Sequence, residues 1–195
     1  MRLILASASP RRRALLEAAG YEFEVIESGV DEAARPGEPA EALAARLARE
    51  KALRVAGLER LGTLVLGADT VVAVEGEILG KPADAQEARQ MLRRLSGRTH
   101  QVFTGVCLAR APGRVVAEAL EMTPVGFREL SDNDIENYIA SDEPFDKAGG
   151  YGIQGLASSF VSRVEGSYSN VVGLPVERVV EMLRPFQESG HGAIG

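Results

Sequence analysis

An α/β domain on a mixed sheet is what the sequence predicts, from three observations. Strand-like and helix-like segments alternate from the first residues onward, with no fixed-period repeat and no low-complexity tract. Residues 63–74, TLVLGADTVVAV, are apolar enough for a central strand covered on both faces. Two further strand-like runs, Thr99 to Arg110 and Val115 to Arg128, are joined by Ala111-Pro112-Gly113-Arg114, where Pro then Gly signals a type II turn and hence an antiparallel hairpin.

The elements follow in order. Arg2 to Ala6 reads as a short buried strand. After Ser7-Ala8-Ser9 a helix opens at Pro10, because proline's missing N–H costs nothing at a first helical position and Ser9 is a good cap. Gly20 ends that helix, Tyr21 to Ile26 is a second strand, and the Gly/Pro/acid-rich stretch Glu27 to Pro39 is a loop. A long helix spans Ala40 to Ala56. The central strand turns back at Glu75-Gly76 into Glu77 to Leu79. Ala85, Ala88, Met91, Leu92 and Leu95 recur at helical spacing, and Gly97 stops the run. Beyond the hairpin, Ser131 and Asp134 form a capping pair ahead of Ile135, Tyr138 and Ile139. Gly149 to Gly155 is irregular, being rich in glycine. A strand over Ser159 to Val164 and a helix from Pro175 to Phe186 complete one domain over 1–187, with 188–195 expected to be a disordered tail.

Composition removes several classes of function. At 195 residues, folding hides roughly 70% of the unfolded chain's surface, so no covalent staple is needed. One cysteine cannot form an internal disulfide, and His100 and His191, the only histidines, supply no zinc cluster. No apolar run reaches the roughly 20 residues of a membrane helix and no signal-peptide core opens the chain, so a cytoplasmic protein is expected. A net charge of −6 argues against a broad grip on nucleic acid. No G-x-x-x-x-G-K-[ST] run is present, which excludes a P-loop enzyme.

Four local features carry chemistry. The first strand, Ser-rich turn and Pro-started helix resemble a phosphate cradle, since a helix N-terminus offers free N–H groups and partial positive charge. On the helical wheel Ala14, Leu15, Ala18 and Ala19 define the buried side, and Arg11 and Arg12 fall toward it. Arginines facing inward need an anion, either an internal carboxylate or a bound phosphate. In the second helix Lys51 lies within the apolar stripe Ala44, Leu47, Ala48, Ala52 and Val55, which fits either an ammonium snorkelling to the rim or a place in a site. Asp69, beside Thr70, interrupts the apolar central strand. A carboxylate there is costly unless paired, hydrogen-bonded or bound to metal, and it is the best single candidate for a base or metal ligand. Asp146-Lys147 ahead of AGGYGIQG places charges beside a loop whose glycines admit close backbone approach and whose Gln154 can both donate and accept. Glu32 and Lys81 read as solvated loop residues, and Cys107 as a small buried hydrophobe.

LASASPRRRALLEAAG, GADTVV, LGKP, MLRRLSGRTHQVFTGV, DKAGGYGIQG and GSYSNVVGLP, taken together and in this order, resemble the Maf family of nucleoside triphosphate pyrophosphatases. The resemblance implies an elongated mixed sheet flanked by helices, two lobes with a central cleft, as in inosine triphosphatases. It implies hydrolysis of a nucleoside triphosphate to monophosphate and pyrophosphate with a divalent cation, Mg²⁺, Mn²⁺ or Co²⁺, and a homodimer as the assembly. It matches the family's catalytic acid to Asp69, a metal-binding pair to Asp69 and Glu32, and substrate-binding positions to Ser7, Arg11, Arg12, Lys51, Lys81, Asp146 and Lys147. Arg11, Thr70 and Gln154 match the positions that separate subgroups, in the dTTP/UTP pattern; the 7-methyl-GTP pattern of the same family and a regulatory module that binds nucleotide without hydrolysing it are the alternatives.

Overall fold

The computed structural model describes residues 1–188, and the expected tail, apart from Glu188, lies outside the described residues. Seven strands and six α-helices succeed one another as β1 (Leu3–Leu5), α1 (Pro10–Ala18), β2 (Glu24–Val25), α2 (Ala40–Ala56), β3 (Leu64–Val74), β4 (Glu77–Leu79), α3 (Ala85–Leu95), β5 (Thr99–Arg110), β6 (Arg114–Phe127), α4 (Asp132–Ile139), β7 (Val161–Val164), α5 (Tyr168–Val172) and α6 (Val176–Glu188). One mixed sheet results, ordered β2-β1-β3-β5-β6-β7, with β4 on β3 as well. The expected α/β architecture with a mixed sheet and flanking helices is present.

β3 organises the molecule. Along one edge its first residues, Leu64–Leu66, pair in parallel with β1, whereas its last, Val72–Val74, pair antiparallel with β4. Its other edge runs unbroken against β5 from Leu64 to Ala73. The stretch between Leu66 and Val72 therefore faces a gap between two partial sheets, and Asp69 lies at its middle. Each half has its own core. Leu3, Leu5, Leu16, Leu66, Val179 and Leu183 pack together in the β1 half, and Val72, Leu79, Leu92, Val125, Tyr138 and Phe160 in the β4 half. The chain runs from β1 to β2 on one side and later places β3 on the other, so β1 ends at a topological switch point, where open α/β sheets bind ligands.

α2 lies unusually close to the sheet because two facing residues lack side chains. A Cβ on Gly67 would stand 2.2 Å from the Ala48 carbonyl, and one on Gly105 would stand 2.4 Å from the Ala44 carbonyl. Asp69 and Gly105 are cross-strand partners on this face, so the same closeness that seats Ala44 and Ala48 brings Lys51, one turn further on, down onto Asp69.

The differences from the sequence reading are local. In α1 the buried apolar residue is Leu16, and Ala14 and Ala18 are exposed, because a nine-residue helix rests on the sheet through a single turn. The helix ends as expected with Gly20 at φ +83°, but the Tyr21 N–H is spent on the Leu16 carbonyl at 3.3 Å. The strand expected over 21–26 is thereby shortened to Glu24–Val25. In the long hairpin the Ala111–Pro112 peptide is cis and the turn closes from the Gly113 N–H to the Arg110 carbonyl, which displaces the expected type II turn. Residues 156–160 form a 3-10 turn, so the strand expected from Ser159 starts at Val161. The Glu75-Gly76 connection has φ of +52° and +80°, the two-residue loop geometry that matches strand twist. The Ser131–Asp134 capping box is formed on both sides. No helix of the described residues is long and apolar enough to cross a membrane.

Candidate active site

The gap along β3 opens into a cavity of about 790 Å³. Sites for small ligands run from roughly 300 to 1,000 Å³, and this cavity lies within that range. All eleven residues singled out from the sequence line it: Ser7, Arg11, Arg12, Glu32, Lys51, Asp69, Thr70, Lys81, Asp146, Lys147 and Gln154.

At the acidic centre, Lys51 is 5% exposed and Asp69 is 7% exposed. The Lys51 ammonium donates to Asp69 Oδ1 at 2.6 Å and to Glu32 Oε1 at 2.5 Å, so it lies inside the site and does not snorkel to the rim. Burial pushes the Asp69 carboxyl above the usual carboxylate range, against the opposing pull of Lys51 and Arg12. Burial also raises Glu32, but less than Lys51, Lys81 and Arg12 lower it, and its net displacement is downward. The two carboxylates are thus driven apart, Asp69 upward and Glu32 downward, which makes Asp69 the better proton acceptor of the two. Lys81 is exposed and stands 3.6 Å from Glu32, which makes the two loop residues a pair at the cleft mouth.

Arg12, at the start of α1, is 9% exposed and forms no ion pair with a carboxylate among the described residues. Its Nε donates to the Gly173 carbonyl at 2.8 Å, Nη1 to Ser7 Oγ at 3.1 Å and Nη2 to Thr70 Oγ1 at 3.1 Å. Three of the five guanidinium N–H groups are used on neutral acceptors, and two remain for an anion. Burial lowers its pKa, the direction that favours gaining a negative partner. Ser7 Oγ also accepts from the Ser9 N–H at 3.2 Å, which leaves the Ser7 hydroxyl proton to give. Arg11 differs. It is half-buried and reaches across the cleft to Asp146 at 3.4 Å, tying α1 to the opposite lobe. Lys147 pairs with Asp146 and donates to the Glu143 carbonyl at 2.7 Å, so its ammonium is held by its own loop.

Gln154 is exposed on the loop that follows, and two buried rings anchor that loop. The Tyr138 hydroxyl accepts the Gly152 N–H at 3.3 Å, and Tyr151 shares a 2.7 Å hydrogen bond with His100 Nε2. His100 is wholly buried and its Nδ1 has no hydrogen-bond partner among the described residues. Desolvation lowers it to about 4. Its folded value lies below the ordinary value near 6.5, so the unfolded chain binds this proton better, and stability is lost as pH falls from about 6.5 toward 4. The loss assigned to His100 is about 3 kcal/mol. Urea midpoints at pH 7 and pH 4.5 are expected to differ less in His100→Gln than in the parent; equal differences would remove His100 from the acid response.

Sequence reasoning did not find Gly173, Thr104 or Asn170. The Gly173 carbonyl faces Arg12 because that residue sits at φ +134°, after the five-residue α5. The only local signal was the Gly-Leu-Pro run itself.

A buried guanidinium with no carboxylate partner among the described residues, a helix N-terminus and a buried carboxylate thus surround one cavity of an α/β protein. The family model described as Maf-like protein matches residues 2–186. The chain belongs to the Maf family. Proteins named dTTP/UTP pyrophosphatase are similar to it: that of Anaeromyxobacter sp. (strain Fw109-5) is 52% identical over 193 residues, covering 97% of this chain and 90% of that one. That of Escherichia coli (strain K12) is 51% identical over 184 residues, covering 94% and 92%. Among solved structures, a HAM1 protein from Coxiella burnetii aligns with a TM-score of 0.49 at 15% identity, over 95% of this chain and 99% of that one.

Proposed function

We propose that this chain hydrolyses nucleoside triphosphates, dTTP and UTP among them, to the monophosphate and pyrophosphate. The observation that carries the reading is Arg12, a buried cation with two N–H groups left over, set beside the Lys51–Asp69–Glu32 cluster. The names of the similar proteins support the choice of substrate. Arg12, the Ser7 hydroxyl and the N-terminus of α1 bind and orient the polyphosphate, and Arg11, Lys51 and Lys81 add positive charge where the departing pyrophosphate gains negative charge. Asp69 takes the proton of the attacking water. Asp146 and Lys147 border the substrate, and Gln154 offers an amide to the base edge.

A divalent cation suits this donor set. Among the described residues no group of three or more His, Cys, Asp or Glu side chains could hold one. Lys51 takes one oxygen each from Asp69 and Glu32, and Glu32 Oε2 faces Lys81 at 3.6 Å, so Asp69 Oδ2, with Glu32 Oε2 where Lys81 turns to phosphate, would hold a hard cation that keeps waters and phosphate oxygens as its other ligands. When bound, such an ion offsets phosphate charge and acidifies water. Thr70 and Gln154 match the subgroup pattern for dTTP and UTP.

Incubation with dTTP or UTP and Mg²⁺ is expected to release pyrophosphate, and chelation is expected to stop it. Orthophosphate as first product, or binding of intact nucleotide without turnover under Mg²⁺, Mn²⁺ and Co²⁺, would overturn the reading.

A further inference from the structure

On the sheet face opposite α2, Thr104, Thr123 and Asn170 are wholly buried polar side chains. Thr104 on β5 is the cross-strand partner of Thr70. The two hydroxyl oxygens are 2.9 Å apart, and Thr104 Oγ1 is 3.3 Å from the Asn170 carbonyl. Proton counting leaves two directions for this chain, since either hydroxyl can donate to the other and Thr70 Oγ1 also stands 3.4 Å from the Gly173 carbonyl. Arg12 can only donate, so Thr70 receives from Nη2 and its own proton is free to go onward. When Thr70 donates to Thr104, Thr104 in turn donates to the Asn170 carbonyl; when Thr70 donates to Gly173, Thr104 donates to Thr70. In both, Thr104 holds the Thr70 hydroxyl that receives from Arg12.

Asn170 is itself fixed, with Nδ2 donating to the Val102 carbonyl at 3.1 Å and to Thr123 Oγ1 at 2.9 Å. It belongs to α5, and Gly173, directly after that helix, takes the Nε proton of Arg12. The guanidinium is therefore held directly to the Gly173 carbonyl and, through the pair of hydroxyls, to β5. For a planar fork, this decides where the two remaining N–H groups point.

We propose that Thr104 is a positioning residue for polyphosphate: with Thr70 it sets the plane of the Arg12 guanidinium, so that Thr70 acts on the ligand through Arg12 and not by touching the base. The proposal rests on the reading of the cleft as a triphosphate site. A pair of hydroxyls that merely satisfy each other in the core would have the same distances, and the two cases separate by which half of the threonine matters. Thr104→Val keeps the shape and removes the hydroxyl. Thr104→Ser keeps the hydroxyl and removes a methyl.

The test measures calorimetric Kd for inorganic pyrophosphate in both variants, alone and combined with Arg12→Ala, together with KM and kcat for dTTP. Thr104→Val is expected to weaken pyrophosphate binding about tenfold and Thr104→Ser to stay within about twofold of the parent. In the Arg12→Ala background the valine is expected to add less than about twofold, because its effect passes through the missing guanidinium. The proposal is overturned if serine costs as much as valine, if valine binds like the parent, or if valine costs the same factor without Arg12. Should Thr104→Val not fold, Thr104→Ala is judged against serine by the same criteria. A parent protein that neither binds pyrophosphate nor turns over dTTP refutes the reading of the cleft itself, whereas an active parent with an unaffected valine variant refutes only this inference.

Discussion

Asp69→Asn is expected to lower turnover about a thousandfold while the protein keeps its fold. A positioned proton acceptor is worth roughly 10²–10⁴ in rate, and in the proposed function the same carboxylate would also supply an oxygen for a cation, so both contributions would go together. Folding is protected because Lys51 keeps Glu32 at 2.5 Å and the asparagine carbonyl oxygen still accepts from the ammonium. A loss of no more than about 2 kcal/mol follows from replacing a charge-assisted bond by an ordinary one. Pyrophosphate release and a thermal melt measured on one preparation check both halves, and turnover near that of the parent would remove Asp69 from the reaction.

Gly67→Ala carries the second large effect, and it strikes fold and site together. Its Cβ would meet the Ala48 carbonyl at 2.2 Å and the Ala52 nitrogen at 2.7 Å, and both are backbone atoms that cannot swing aside. α2 must lift, at a cost of about 3 kcal/mol or more for overpacking, which lowers Tm by about 6–12 °C in a chain of this size. Lifting α2 also draws Lys51 away from Asp69, so kcat/KM should fall in the fraction that stays folded. Gly80→Ala is the control, since a Cβ there meets nothing within 4 Å and the change should stay within about 0.5 kcal/mol. Scanning calorimetry of the two variants decides the matter; equal melting temperatures would mean the helix is not seated by that glycine.

What the sequence made legible were violations of a local pattern. Lys51 in an apolar stripe and Asp69 in an apolar strand stand out against neighbours whose burial is predictable from periodicity, and the structure brings these two anomalies into contact. Arg12 could be turned inward from the wheel alone, although the wheel misplaced its companions, because α1 touches the sheet through too few residues for a stripe to be defined. Glu32 was not legible as a partner of Lys51, since the loop from 27 to 39 has no periodicity to orient a side chain. Thr104 and Asn170 were hidden for a different reason. Each is unremarkable in its own segment, and they meet only through the pairing of β3 with β5 and the packing of α5 against β5. Alternation within a strand tells which face a residue occupies, but not what lies opposite.

The strand that bears Asp69 also sets a distance. From Leu66, where β1 lets go, to Val72, where β4 takes hold, the backbone advances about 20 Å at the usual rise of an extended chain. β5 pairs along the far side of that whole interval, so its length is set by the continuous ladder of β3 on β5. A substitution at either rim can then be accommodated where it falls, while the span on which Asp69 is centred keeps its length.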